Sequence, residues 1–104
     1  MNRTIKTALI LTLAVISTAG VLSAHAYTGQ KLAGGAKVSM RTARSIALKA
    51  HPGKITAEEL EKEKGGSGLR YSFDIRQGKV TQEVGVDART GQVLENAPEG
   101  PNPD

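Results

Sequence analysis

The sequence has no cysteine and no tryptophan, and its 104 residues include only two tyrosines and one phenylalanine. Without cysteine the fold can have no disulfide, and no cysteine is present for lipid attachment. Stacking on bases or sugars needs exposed aromatic rings, whereas Tyr71 and Phe73 fall on the apolar side of a predicted strand. The composition therefore argues against an aromatic binding platform.

Histidine, which many catalytic and metal sites use, is also scarce. After position 25 the sequence has a single histidine, His51, and zinc sites need several histidine or cysteine ligands, so we predict no metal site and no cofactor. His51 precedes Pro52 at the end of a predicted helix, where it is interpreted as a C-terminal cap. No serine lies at a spacing that nominates it as a nucleophile beside this histidine. We therefore predict that the chain is not an enzyme.

The first 26 residues have the three zones of a secretory signal peptide. Arg3 and Lys6 form the basic zone, residues 8–22 are mostly apolar, and Ala24-His25-Ala26 is an A-x-A cleavage site. The apolar run is shorter and more polar than the roughly 20 apolar residues that span a membrane. We therefore expect cleavage before Tyr27, no membrane span afterwards, and a secreted or periplasmic location.

The remaining residues divide into three parts. Removal of residues 1–26 lowers the formal charge from +4 to +2, which disfavours nucleic acid as a partner. Residues 27–37 contain three glycines and are predicted to be a flexible lead-in, while residues 96–104 contain three of the four prolines and are predicted to be a disordered tail. The folded domain is thus predicted over residues 38–95.

The domain is predicted to begin with a helix from Met40 to Ala50. Ser39 can act as its side-chain N-cap, and Pro52 stops it. The apolar residues that recur at helical spacing are Ala43, Ile46, Ala47 and Ala50.

Residues 69–94 are predicted to form two consecutive β-hairpins. Apolar residues alternate with polar ones along the first hairpin, at Leu69, Tyr71, Phe73, Ile75, Val80, Val84 and Val86. With Gln77-Gly78 as the turn, Tyr71 would face Val84. In the turn of the second hairpin, Asp87 is expected to bond to the backbone of its own hairpin.

The segment from Lys54 to Lys64 is ambiguous. Thr56 and Glu59 form a capping box that favours a helix, but a helix here would bury almost nothing. We predict a strand with a solvated face of glutamates and lysines rather than a cation site. The predicted fold is then α+β, with one N-terminal helix packed on a small antiparallel β-sheet of three to four strands.

Three stretches in order, SMRTARSIALKAHPGKITAEELEKEKG, LRYSFDIR and VTQEVGVDARTGQVLE, resemble the PepSY domain. This small module is found in propeptides of thermolysin-type proteases, in sporulation proteins and as free-standing secreted proteins. The resemblance covers residues 38–95 and implies a non-catalytic domain that inhibits or regulates peptidases near the cell surface. It also implies a strand for residues 55–63. The family has no agreed catalytic residues, so none is assigned here.

A partner would have to bind to the outer side of the sheet or to a strand edge, because the helix covers the apolar side. Strand addition is a common way for such an edge to bind a peptide. The candidate partner-facing residues are Arg70, Asp74, Arg76, Thr81 and Glu83, although the same alternation fits a face that is only solvated. The leading hypothesis is a monomeric or weakly dimeric protein-binding module that regulates a peptidase. The alternative is a small-ligand or cation-binding envelope protein.

Overall fold

The computed structural model describes residues 26–100, in which one helix packs on a four-stranded antiparallel sheet. After a short 3₁₀-helix, the elements in chain order are α1 (Met40–Ala50), β1 (Lys54–Lys62), β2 (Leu69–Gln77), β3 (Val80–Asp87) and β4 (Val93–Pro98). The strands lie side by side in sequence order. The predicted α+β class is therefore confirmed. The predicted signal peptide lies, except for Ala26, outside the described residues.

Helix α1 begins and ends where the sequence predicts. The Ser39 hydroxyl accepts a hydrogen bond from the Thr42 N–H at 3.1 Å, and His51 occupies the C-cap position, where its N–H donates to the Ala47 carbonyl. Met40, Ala43 and Ala47 are buried. The small side chains of Ala43 and Ala47 let the helix lie close to the sheet, on the side of the sheet that we call the inner face.

The core lies between α1 and the inner face. Its buried apolar residues are Met40, Ala43, Ala47, Leu60, Leu69, Tyr71, Phe73, Ile75, Val84, Val86 and Ala88. The Tyr71 hydroxyl donates to the Val38 carbonyl at 2.6 Å, so this large side chain is buried with its polar atom satisfied. The buried side chains of the inner face thus serve to pack the sheet against α1.

The ambiguous segment forms a strand, β1, as predicted. It pairs with β2, and a β-bulge between Ile55 and Ala57 interrupts the register. Beyond this bulge Glu58 pairs with Phe73 and lies on the inner face, where the Arg44 guanidinium binds its carboxylate. Pairing with β2 satisfies backbone N–H and carbonyl groups of β1, so this strand needs little apolar surface of its own.

The first hairpin has the predicted faces but a different register. Tyr71 pairs with Val86 rather than Val84, because the turn lies one residue later than predicted, at Gly78-Lys79. A shift of this kind moves each partner by two residues, which leaves every side chain on its original face. Val80, at the end of the hairpin, is 52% exposed. The apolar alternation alone therefore could not distinguish the two registers.

The prediction that residues 27–37 form a flexible lead-in is wrong. Thr28 forms a parallel bridge with Glu59 of β1, and its carbonyl accepts a hydrogen bond from the Leu60 N–H at 2.8 Å. A 3₁₀-helix follows over Gln30–Gly35, and the partly buried apolar side chains of Tyr27, Leu32 and Ala36 pack against the core. The segment is ordered because it completes both the core and the backbone bonding of β1.

The predicted disordered tail begins too early. Strand β4 continues through Asn96 and Ala97 to Pro98, and Glu99 still donates its N–H to the Thr81 carbonyl at 2.8 Å. Proline is compatible with this position because β4 is an edge strand. Backbone pairing with β3 therefore orders a stretch with little apolar content, and residues 101–104 lie outside the described part of the chain.

Candidate functional site

The side of the sheet opposite α1, which we call the outer face, holds the predicted partner-facing residues. In the β2–β3 pairing, Arg76 lies opposite Thr81 and Asp74 lies opposite Glu83, so these side chains form a compact polar group. Arg76 is exposed and the other three are half-buried. The structure thus brings these residues together, while their role in partner binding stays a prediction.

Arg70, the remaining predicted residue, is held by the fold itself. Its guanidinium binds the Glu95 carboxylate at 3.2 Å and donates to the Lys64 carbonyl at 3.1 Å, and its side chain is only 11% exposed. It also lies across Gly85, where any side chain would meet it. Arg70 therefore joins β2, β4 and the loop after β1, and is less accessible to a partner than Arg76.

The outer face also carries a group of carboxylates that we call the acidic face. They surround a cavity of about 430 Å³, and Arg70 is the single basic residue among those that line it. The members of the acidic face are Glu59, Glu61, Glu63, Asp74, Glu83, Glu95 and Glu99. This concentration of negative charge favours cationic groups over anionic ones at the outer face.

The sequence predicts the glutamates of β1 as a solvated face, but it does not predict the carboxylates of the other strands that lie beside them. The period-two spacing of Glu59, Glu61 and Glu63 puts these three on one side of the strand. Glu99 falls in the predicted tail and Glu95 at its border, so neither was considered for the sheet. The acidic face therefore depends on strands whose pairing is visible only in the structure.

The neighbouring carboxylates of the acidic face make it harder for Glu59 to carry a charge. The pKa of Glu59 is raised chiefly by a hydrogen bond with Glu61, then by burial, and then by the negative charges of Glu61, Asp74 and Glu63. Glu61 itself accepts a hydrogen bond from the Ser72 hydroxyl at 2.7 Å. The negative charge of Glu59 is thus electrostatically unfavourable in the folded protein. Protonation of Glu59 or a nearby cation would reduce this unfavourable free energy.

A second cavity, of about 630 Å³, lies where the N-terminal segment meets β1. It is lined by Tyr27, Arg44 and residues 55–58, among others. The Arg44 guanidinium makes two hydrogen bonds of 2.8 Å to the Glu58 carboxylate, and this hydrogen bonding raises the pKa of Arg44. The pair fastens α1 to β1, and its mutual neutralisation leaves this cavity without the strong negative charge of the acidic face.

Asp87, buried at the end of β3, organises the loops at one end of the sheet. Its carboxylate accepts hydrogen bonds from the Arg89 and Thr90 N–H groups, as predicted, and also from the N–H and hydroxyl of Ser67 at 2.6 and 2.7 Å. Burial alone would raise the pKa of Asp87, but these hydrogen bonds lower it to about 2. The Ser67 hydroxyl donates to this carboxylate, so the pair joins the loop before β2 to the turn after β3.

Within residues 26–100, no group of three or more histidine, aspartate or glutamate side chains has an arrangement that could hold a metal ion. No helix in this same part of the chain has the length and apolar character needed to cross a membrane.

Comparison with known proteins identifies a family. The model of a family described as peptidase propeptide and YPEB domain, PepSY, matches residues 37–96. The matched range contains α1, β1, β2, β3 and most of β4. Neither the curated proteins nor the solved structures that were searched contain a match.

Proposed function

The chain belongs to the PepSY family, and we propose that it is a non-catalytic, secreted or periplasmic domain that binds a peptidase and regulates its activity. The family description links these domains to peptidase propeptides. A propeptide acts by binding its enzyme, so the relevant property of this chain is a surface that recognises another protein.

The observation that carries the proposal is the outer face, on which no helix packs in the described part of the chain. Helix α1 occupies the inner face, whereas the outer face presents Arg76, Asp74 and Glu83 beside the rest of the acidic face. Charges arranged in this way provide specificity and steer association with a surface of complementary charge. We therefore place the peptidase on the outer face.

Inhibition of a captured peptidase tests the proposal. The purified protein is immobilised, peptidases retained from the secreted or envelope fraction are identified, and hydrolysis of a peptide substrate is measured at increasing concentrations of the protein. We expect dose-dependent inhibition. If no peptidase is retained and hydrolysis is unchanged, the proposal is wrong.

A matched pair of charge reversals tests the place of binding. Arg76→Glu changes an exposed residue of the outer face, and Lys49→Glu changes an exposed residue of α1. We expect Arg76→Glu to strengthen inhibition by about fivefold, because it adds negative charge to a face that attracts cationic groups, and Lys49→Glu to leave inhibition unchanged. Equal effects of both variants would exclude the outer face as the binding surface.

A further inference from the structure

The two edges of the sheet differ in how far they are already bonded. At the β1 edge, the Thr28 carbonyl accepts the Leu60 N–H at 2.8 Å, and the bulge between Ile55 and Ala57 distorts the rest. Within residues 26–100, no strand or bridge pairs with the outer edge of β4. Strand β4 is therefore the edge that is available for further pairing.

The backbone groups that β4 presents can be assigned from its register. In an antiparallel pair, directly bonded residue pairs alternate with non-bonded ones. The Glu99 N–H donates to Thr81 at 2.8 Å, so Ala97, two residues earlier in a regular stretch, also points its backbone toward β3. Asn96 and Pro98 consequently point their backbone groups outward. Since proline has no N–H, this stretch of the edge offers the N–H and carbonyl of Asn96 and the carbonyl of Pro98.

We propose that the β4 edge binds an extended, basic segment of the partner as a fifth strand, with Asn96 as the residue that exchanges backbone hydrogen bonds. The inference rests on the proposed function, because it specifies which part of the partner the domain binds. Added strands obtain affinity from main-chain bonds and specificity from alternate side chains.

Charge complementarity determines the character of the segment. Glu95 lies on β4 and Glu99 directly follows it, and both belong to the acidic face, with Glu83 on the neighbouring strand. Side chains at alternate positions of an added strand would lie beside these carboxylates, which favours lysine or arginine there. A second copy of this chain is disfavoured as the added strand, because it would bring its own Glu95 and Glu99 to the same edge.

A synthetic peptide tests the inference without knowledge of the partner. The probe is Thr-Lys-Val-Lys-Val-Lys-Thr, blocked at both ends, and binding to the purified protein is followed by NMR at low ionic strength. We expect the Asn96 amide to exchange rapidly with solvent in the free protein and to become protected on binding. A peptide with glutamate in place of lysine is expected not to bind. Equal binding of both peptides would refute the basic character of the segment.

Two variants of Asn96 separate the backbone from the side chain. Asn96→Pro removes the outward N–H, whereas Asn96→Ala retains it and removes only the side-chain contacts with Gln82 and Ala50. We expect Asn96→Pro to weaken peptide binding by about tenfold, the effect of losing one hydrogen bond, and Asn96→Ala to stay within about twofold of the wild type. Equal affinities in the two variants would refute pairing at Asn96.

Methylation of the peptide gives the same test with an unchanged protein, should Asn96→Pro fail to fold. Methyl groups on the backbone nitrogens of the valines block the hydrogen bonds to Asn96 and should abolish binding. A methyl group on the backbone nitrogen of the central lysine points away from β4 and should be tolerated. The inference is wrong if valine methylation has no effect, or if the free protein dimerises through β4. Undiminished peptidase inhibition by a folded Asn96→Pro variant would refute pairing at the β4 edge but would leave the proposed function standing. Peptide binding by a protein that inhibits no peptidase would support pairing at the β4 edge and refute the proposed function.

Discussion

Replacement of Asp87 by asparagine is expected to destabilise the protein by about 2 to 3 kcal/mol at neutral pH. The Asp87 carboxylate is fully buried and accepts hydrogen bonds from Ser67, Arg89 and Thr90. The carboxylate pKa is lowered from 3.8 to about 2, and at 1.36 kcal/mol per pKa unit this shift corresponds to about 2 kcal/mol of stability. The asparagine amide would in addition direct a donor at another donor, either the Ser67 N–H or a group bound to the other oxygen.

The pH dependence of this loss isolates Asp87 from other carboxylates. Because its pKa is lower in the folded state, its contribution is present above the unfolded pKa of about 4 and is lost as the pH falls through the folded pKa of about 2. Urea unfolding of the wild type and Asp87→Asn, followed by circular dichroism between pH 7 and pH 2, measures the difference in unfolding free energy. We expect this difference to shrink across that window.

Asp74→Asn is the matched control, because Asp74 is a half-buried carboxylate on the outer face of β2. We expect it to change stability by less than about 0.5 kcal/mol, as is usual for substitutions outside buried networks. A stability difference between wild type and Asp87→Asn that does not vary with pH would contradict the assigned role of the Asp87 charge. So would a loss in Asp74→Asn as large as that in Asp87→Asn.

Two further predictions concern the loops and the acidic face. Gly66→Ala is expected to lower the melting temperature far more than Gly78→Ala: both glycines have positive φ, but a Cβ at Gly66 would collide with the Asp87 carboxylate, whereas nothing lies within 4 Å at Gly78. Equal effects would mean that only backbone strain matters. Glu59→Gln is expected to raise the melting temperature at pH 7, because the raised pKa of Glu59 makes its charge destabilising. This gain should disappear below the usual glutamate pKa, and a gain that persists in acid would refute the electrostatic explanation.

Local sequence patterns were sufficient to predict the elements whose structure depends on residues close together in the chain. The N-cap at Ser39 and the proline after His51 fix the ends of α1, and the apolar alternation of β2 fixes which side chains enter the core. The predicted bonding of Asp87 to its own turn was also correct. These features depend on residues close together in the chain, so the sequence displays them directly.

The pairing of strands that are distant in the chain could not be predicted from the sequence. The register of the first hairpin differs by a shift that leaves every face unchanged, so no side-chain pattern records it. Residues 27–36 and Asn96 to Pro98 have few apolar residues and are ordered by bonds to β1 and β3. The acidic face as a whole follows from this pairing, which explains why Asp74 and Glu83 were predicted to face a partner while Glu59, Glu61 and Glu63 were predicted only to form a solvated face.

The bridge between Thr28 and β1 sets a limit on how molecules of this protein assemble. A sheet with two free edges can join neighbours on both sides and grow without end into a fibre. Here the chain's own N-terminal segment holds the middle of one edge, and among residues 26–100 nothing pairs with the other edge, β4. If β4 adds a strand as proposed, the addition should therefore terminate after a single event, which would give a one-to-one complex and protect a protein with exposed sheet surface from polymerisation.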